Sequence, residues 1–192
     1  MRFMSMVKTS EAQLAPPPKA FLEAMNRLIE ECAKAAGKDP LEFRRPLMAK
    51  NPYNLAVLEA TAKKAGWGTP LPPGVFRGIA QFMGYGSYSA CVAELTVEGK
   101  IVKIKRLVFA LNPGHVVNPY LVREQIEGSV VMALSALFNP EITVENGRIK
   151  QTNFDSYPLL KLSSVPKVES VLVPTYDFWG GVGEPTICVV GP

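Results

Sequence analysis

The stretch from Tyr88 to Leu111, YSACVAELTVEGKIVKIKRLVFAL, decides the fold class. Tyr88 to Val97 alternates in polarity and Glu98-Gly99 supplies a turn. Ile101 to Leu111 then carries Val, Ile, Leu and Phe at near-alternate positions, with Lys103 and Lys105 facing out. A period of two on either side of a glycine turn reads as a β-hairpin. Further along, Asn146-Gly147 separates Ile142-Thr143-Val144 from Arg148-Ile149. Asn-Gly tolerates the positive φ angles of a two-residue hairpin turn, so a second hairpin is predicted there. Between the two, Asn118-Pro119 opens a helix with Val122, Ile126, Val130, Ala133, Leu134 and Leu137 along one stripe. Val168 to Val173 reads as one more strand, feeding a glycine-rich turn.

Upstream the texture is helical. After a lead-in over 1–15, Pro16-Pro17-Pro18 stiffens the approach to a helix. In it Phe21, Met25, Leu28, Ile29 and Cys32 recur at helical spacing, and Gly37 stops it. Asp39-Pro40-Leu41-Glu42 reads as a capping box with proline at the first helical position. Asn51-Pro52 begins a third helix, with Leu55, Leu58, Ala62 and Ala65 on one face and Gly66 at its end. Residues 16–66 therefore form a helical segment whose Met and aromatic stripe is expected in the core. Gly66 to Gly78, rich in Gly and Pro, marks a boundary within one domain, and 79–192 form a mixed portion. Helices first and hairpins later predict an α+β fold with one central helix, not a doubly wound sheet.

Composition narrows the function. With 47% hydrophobic and 20% charged residues over 192 positions, the chain is ordinary globular protein with one sizeable core. No apolar run approaches the roughly 20 residues of a membrane span. The start is too short in its apolar part for a secretory signal, so a cytoplasmic location is expected, or a periplasmic one if protein beyond this chain carries a signal. The net charge of +4 is spread among interspersed acids and bases. Arg44-Arg45, Lys63-Lys64 and Lys103 to Arg106 lack a neighbouring aromatic platform, so no nucleic-acid partner is expected. Cys32, Cys91 and Cys188 are widely spaced, and His115 is the single histidine. Without a paired-cysteine motif, protein ligands for zinc or an iron–sulfur cluster are not expected from this chain.

Two places invite chemistry. Gly180-Gly181-Val182-Gly183-Glu184-Pro185 removes Cβ atoms from a short turn and closes it with a lone carboxylate. Read locally, it is either a base meeting a bound cofactor or a strand-to-helix turn with Glu184 as a solvated helix-start acid. On the middle helix, Gln125 sits at the edge of the apolar stripe, with Gly128 and Ser129 one turn on leaving room for something other than a side chain. A semi-buried amide there needs partners for donor and acceptor alike, either a loop or a ligand. The Asn118 helix start is a further place for an anion.

Taken as an ordered set, several motifs resemble one family. They are Asp39-Pro40-Leu41-Glu42-Phe43-Arg44-Arg45, Leu55-Ala56-Val57-Leu58-Glu59, Ala65-Gly66-Trp67-Gly68, and Val117-Asn118-Pro119 with Gln125-Ile126-Glu127-Gly128. Asn153-Phe154 with Tyr157-Pro158-Leu159-Leu160 and the glycine bend complete the set. From about Phe21 to Pro192 the chain resembles the molybdopterin-binding large subunit of the xanthine dehydrogenase/aldehyde oxidase family. The nearest branch is the isoquinoline 1-oxidoreductase beta subunit and related two-subunit aldehyde dehydrogenases.

That resemblance implies a molybdenum hydroxylase with molybdopterin, in bacterial members usually the cytosine dinucleotide form. It implies Glu184 as the catalytic base in oxidising an aldehyde or N-heterocycle with oxygen from water, and electrons leaving to iron–sulfur clusters in a small partner subunit. It implies Gln125 as a hydrogen-bond partner of the pterin, and Gly180, Gly181 and Gly183 as the close approach for cofactor and substrate. The metal's ligands would then come from the pterin, with none from this chain. Departures are present too. The family's large subunit is much longer, its Gly-Gly-Phe-Gly type loop is not found, Pro185-Thr186 replaces the more usual Pro-Gly, and Asp155-Ser156 replaces a His-Asp pair. The chain therefore reads as a C-terminal portion whose partner is the remainder of the large subunit, incapable of turnover alone. A non-catalytic remnant, or a partner-binding α+β module, is the alternative.

Overall fold

The computed structural model describes residues 19–138 and 142–192; the lead-in and the proline triplet lie outside them. Three helices come first, α1 (Lys19–Ala35), α2 (Pro40–Leu47) and α3 (Pro52–Ala65). The caps form much as the sequence dictates. Asp39 accepts from the backbone N–H groups of Leu41 and Glu42, Asn51 accepts from that of Asn54, and Gly66 ends α3 in the left-handed region at φ 71°. The reciprocal half of the capping box does not form, because the Glu42 carboxylate pairs with Arg45 one turn on.

Three long strands come next: β1 (Val75–Gly84), β2 (Ser87–Glu98) and β3 (Ile101–Asn112). Then come α4 (Pro119–Phe138), the short hairpin β4 (Val144–Glu145) and β5 (Arg148–Ile149), and β6 (Lys167–Leu172). Asn146 and Gly147 adopt φ 50° and 74°, as the two-residue turn requires. The main sheet runs β1-β2-β3-β6. β1, β2 and β3 pair antiparallel in series, while β6 returns through α4 to lie parallel to β3.

β1 is an addition to the sequence reading. It begins inside the Gly- and Pro-rich stretch between Gly66 and Gly78, and Gly78 and Gly84 interrupt its pattern. β6 matches the strand expected at Val168 to Val173, and only its parallel pairing with β3 is new, since pairing partners far apart in sequence leave no local mark.

The sheet is sandwiched. Leu107, Phe109 and Leu111 of β3, with Ala80, Phe82 and Cys91, face α4 through Val122, Ile126, Val130, Ala133 and Leu134. On the other face Ile79, Val92 and Val108 meet Leu41, Leu58, Ala62 and Ala65 of α2 and α3. Coverage on both sides explains why 107–112 of β3 is buried without alternation.

One expectation is overturned. Of the α1 stripe, Met25, Leu28 and Cys32 are exposed and Ile29 is half-buried, while Asn26 and Ala33 turn inward; the Phe21 side chain lies outside the described residues. The reason is Arg44, fully buried, whose guanidinium donates to Asn26 Oδ1 (3.1 Å), Glu30 Oε1 (3.0 Å) and Ile79 O (3.1 Å). A buried cation is costly unless its donors are engaged, so α1 presents its polar side to the two terminal nitrogens of Arg44.

Candidate functional site

Four structural features meet at one end of the sheet: the β1–β2 turn, the end of β3, the start of α4 and the segment after β6. That segment crosses the strand ends on a series of backbone bonds. Val173 N donates to Leu111 O (2.9 Å), Tyr176 N to Gly114 O (3.2 Å), Gly180 N to Pro113 O (2.9 Å) and Gly181 N to Tyr85 O (2.8 Å). Past the bend, a single 3₁₀ turn at Ile187–Val189 carries Cys188, Val189 and Val190 into the core beneath α4.

The three glycines of the bend have different surroundings. A Cβ on Gly180 would stand 2.2 Å from Ser87 Oγ and 2.3 Å from Gly86 O. Its bareness therefore serves a close approach within the chain, between the bend and the β1–β2 turn. A Cβ on Gly181 would lie 3.3 Å from Tyr85 O. Around Gly183 the space is open, and the sole neighbour within 4 Å of such a Cβ is Gln125 Oε1, at 3.8 Å.

The fold thus brings together two residues 58 positions apart, Gln125 and Gly183, with Glu184 immediately beyond. Gln125 lies outside the buried stripe and is exposed, not semi-buried, because Val122, Ile126 and Ser129 take the inward positions. Among the described residues its carboxamide has no hydrogen-bond partner, and a Cβ on Gly128, one turn on, would meet nothing within 4 Å.

Glu184 is exposed, and the chain runs from it into the 3₁₀ turn, not into an α-helix. The strand-to-helix turn, with Glu184 at the start of a helix, therefore does not form here. Beside it stands Tyr85, in the left-handed region at φ 56°, a conformation glycine or asparagine normally supplies. Partial desolvation, with the Cys188 thiol and the Glu184 carboxylate nearby, raises the Tyr85 phenol above its ordinary pKa. At the α4 start, Asn118 uses its own side chain to accept from the N–H groups of Tyr120 (3.0 Å) and Leu121 (3.3 Å), which occupies the donors an anion would seek.

Buried hydroxyls anchor the bend. Ser87 Oγ donates to Gly181 O (2.6 Å) and Ser89 Oγ to Pro185 O (2.9 Å), while Thr186 Oγ1 lies 2.6 Å from Ser129 Oγ on α4. Ser87, Ser89 and Tyr85 carry no motif of their own in the sequence. The Tyr85-Gly86 dipeptide was the available signal, legible as a hairpin turn only once β1 is recognised. Next to the bend, the Trp179 indole stacks on His115 at 4.3 Å and 7°, with His115 Nδ1 2.7 Å from Phe178 O.

Comparison with known proteins agrees with the resemblance. Residues 6–166 match the molybdopterin cofactor-binding domain family, and the chain belongs to it. The matched range includes Gln125 and Ser129; the bend lies beyond it. The chain is 27% identical over 174 residues to the isoquinoline 1-oxidoreductase subunit beta of Brevundimonas diminuta, covering 88% of this chain and 22% of that protein. It is 28% identical over 185 residues to a membrane-bound aldehyde dehydrogenase [pyrroloquinoline-quinone] of Gluconacetobacter polyoxogenes, covering 85% and 24%. Among solved structures, the quinoline 2-oxidoreductase of Pseudomonas putida 86 superposes with a TM-score of 0.49 at 17% identity, over 55% of this chain and 14% of that one. The chain thus spans about a quarter or less of the length of the relatives it matches. No helix among the described residues is long and apolar enough to cross a membrane.

Proposed function

We propose that this chain is part of a molybdenum hydroxylase that oxidises an aldehyde or an aromatic N-heterocycle, with Glu184 as its base. The observation that carries the reading is the placement of Gln125 Oε1 3.8 Å from where a Gly183 Cβ would stand, one residue before Glu184. The residues present fit a pterin. Gln125 offers an unengaged donor and acceptor, and the bare positions at Gly183 and Gly128 leave open space on either side of it. When bound, the molybdenum pterin supplies the redox centre that takes two electrons from substrate.

In that arrangement Gln125 would hydrogen-bond the pterin, and the bare positions at Gly181 and Gly183 would leave room for its approach. Gly180 holds the bend to the β1–β2 turn. Glu184 accepts a proton on its carboxylate as oxygen derived from water is transferred to the substrate carbon. The exposed carboxylate needs further protein over it to form a site closed to bulk water. That cover comes, in this proposal, from the remainder of the large subunit, with a small iron–sulfur subunit receiving the electrons. A cytosine dinucleotide form of the cofactor and a cytoplasmic or periplasmic site of action belong to the same proposal.

The test uses the native complex that contains this chain. Glu184→Gln is expected to abolish dye-linked turnover while molybdenum content, measured by plasma mass spectrometry, stays at the wild-type level. Unchanged turnover in this variant removes Glu184 from the role. The exposure of Glu184 favours a second reading, a non-catalytic module that binds a partner chain. Under that reading the wild-type complex holds no molybdenum.

A further inference from the structure

The bend is tied to the middle helix by one pair of side chains. Thr186 and Ser129 are both buried, at 0% and 4% exposure, with their hydroxyl oxygens 2.6 Å apart. Ser129 donates its single hydroxyl hydrogen to Ile126 O at 2.7 Å, so the hydrogen between the two oxygens comes from Thr186. Ser129 lies four residues after Gln125 and therefore one turn further along the same side of α4. Thr186 lies two residues after Glu184. From the opposite side, Ser89 Oγ donates to Pro185 O at 2.9 Å, so the backbone just past Glu184 is held from the sheet and from the helix at once.

We propose that the Thr186–Ser129 hydroxyl pair is a latch that sets the spacing between Glu184 and Gln125, making both hydroxyl residues positioning residues for the reaction proposed above. The inference rests on that reading. It also gives a physical role to the replacement of the more usual Pro-Gly by Pro185-Thr186. Glycine at position 186 has no hydroxyl to donate, and the Ser129 oxygen would lose this donor. The α4 end of the latch matters because a hydrophobic contact slides at little cost, whereas a short buried hydroxyl pair has one geometry.

The experiment compares Thr186→Val, Thr186→Ser, Ser129→Ala and the Thr186→Val/Ser129→Ala double variant in the native complex. A misplacement of about 1 Å can lower turnover by up to about a hundredfold, so Thr186→Val is expected to lower kcat by about tenfold or more. KM and molybdenum content are expected to hold. Thr186→Ser, which keeps the donor, is expected to retain the wild-type kcat, and the double variant to be no worse than the poorer single one. Independently of turnover, hydrogen exchange of the amides of 183–190 should speed up in Thr186→Val and not in Thr186→Ser. A Thr186→Val enzyme with wild-type kcat and exchange overturns the latch, as does a Thr186→Ser enzyme equally impaired or additive single effects. If Glu184→Gln is inactive and Thr186→Val unimpaired, the latch alone fails. If Glu184→Gln turns over normally, the base reading fails and the latch's role with it.

Discussion

The bend contains a built-in control, because Gly180 and Gly183 belong to the same motif and meet different surroundings. In Gly180→Ala the new methyl would stand 2.2 Å from Ser87 Oγ, 2.3 Å from Gly86 O and 2.8 Å from Gly86 C. Non-bonded heavy atoms rest at about 3.5 Å, so the two segments must separate by about 1 Å. The Ser87 hydroxyl can rotate away only by giving up its 2.6 Å bond to Gly181 O. The Gly86 backbone has less freedom, since the neighbouring Tyr85 carbonyl is held by Gly181 N at 2.8 Å. Overpacking of this kind costs about 1–3 kcal/mol and the lost hydrogen bond about 1 kcal/mol more. A total of about 2–4 kcal/mol in a chain of this size lowers the thermal midpoint by roughly 5–15 °C.

In Gly183→Ala the methyl meets only Gln125 Oε1 at 3.8 Å, an ordinary contact, and the midpoint should stay near that of the wild type. Differential scanning fluorimetry of both variants decides the matter. Equal midpoints for the two would refute the claim that Gly180 is bare for the sake of the β1–β2 turn. Turnover completes the contrast. Gly180→Ala should lose activity through displacement of the bend, and Gly183→Ala through crowding of the space beside Gln125 with stability intact.

Two further outcomes concern charged groups. Arg44→Met leaves Glu30, Asn26 and the Ile79 carbonyl without their shared donor and should cost about 3–5 kcal/mol in urea unfolding, where a loss below about 1 kcal/mol would contradict the hub role. The hydrogen bonds from Arg106 and Lys167 lower the Glu169 carboxyl from its ordinary 4.5 to about 2. A carboxyl depressed in the folded state stabilises above its unfolded pKa, and that contribution is lost as pH falls from about 4.5 towards about 2. The midpoint gap between wild type and Glu169→Gln should therefore close over that interval; parallel curves would count against the Arg106–Glu169 pair.

Local chemistry was enough for the start of α2, both limits of α3 and the Asn146-Gly147 turn. Asp39, Asn51 and Gly66 act through groups within four residues of themselves, and Asn146-Gly147 acts through its own backbone torsions, so the sequence states them outright. The family was legible for a related reason: its motifs are short runs whose order survives in one chain. Gln125 and Glu184 were nameable from those runs.

The remaining features were decided by forces acting across the chain. A buried Arg44 draws the polar side of α1 inward, so that Met25, Leu28 and Cys32 face out. The face of a helix that is buried depends on what the neighbouring helix brings, and periodicity in α1 alone carries no record of Arg44. β6 lies parallel to β3 because α4 carries the chain back over the sheet, a pairing with no local cue. Gly180 faces Gly86, Gly183 faces Gln125 and Thr186 meets Ser129 only after that crossover has closed. The sequence named a candidate carboxylate and a candidate amide; the packing of α4 over the strand ends set the distance between the segments that carry them.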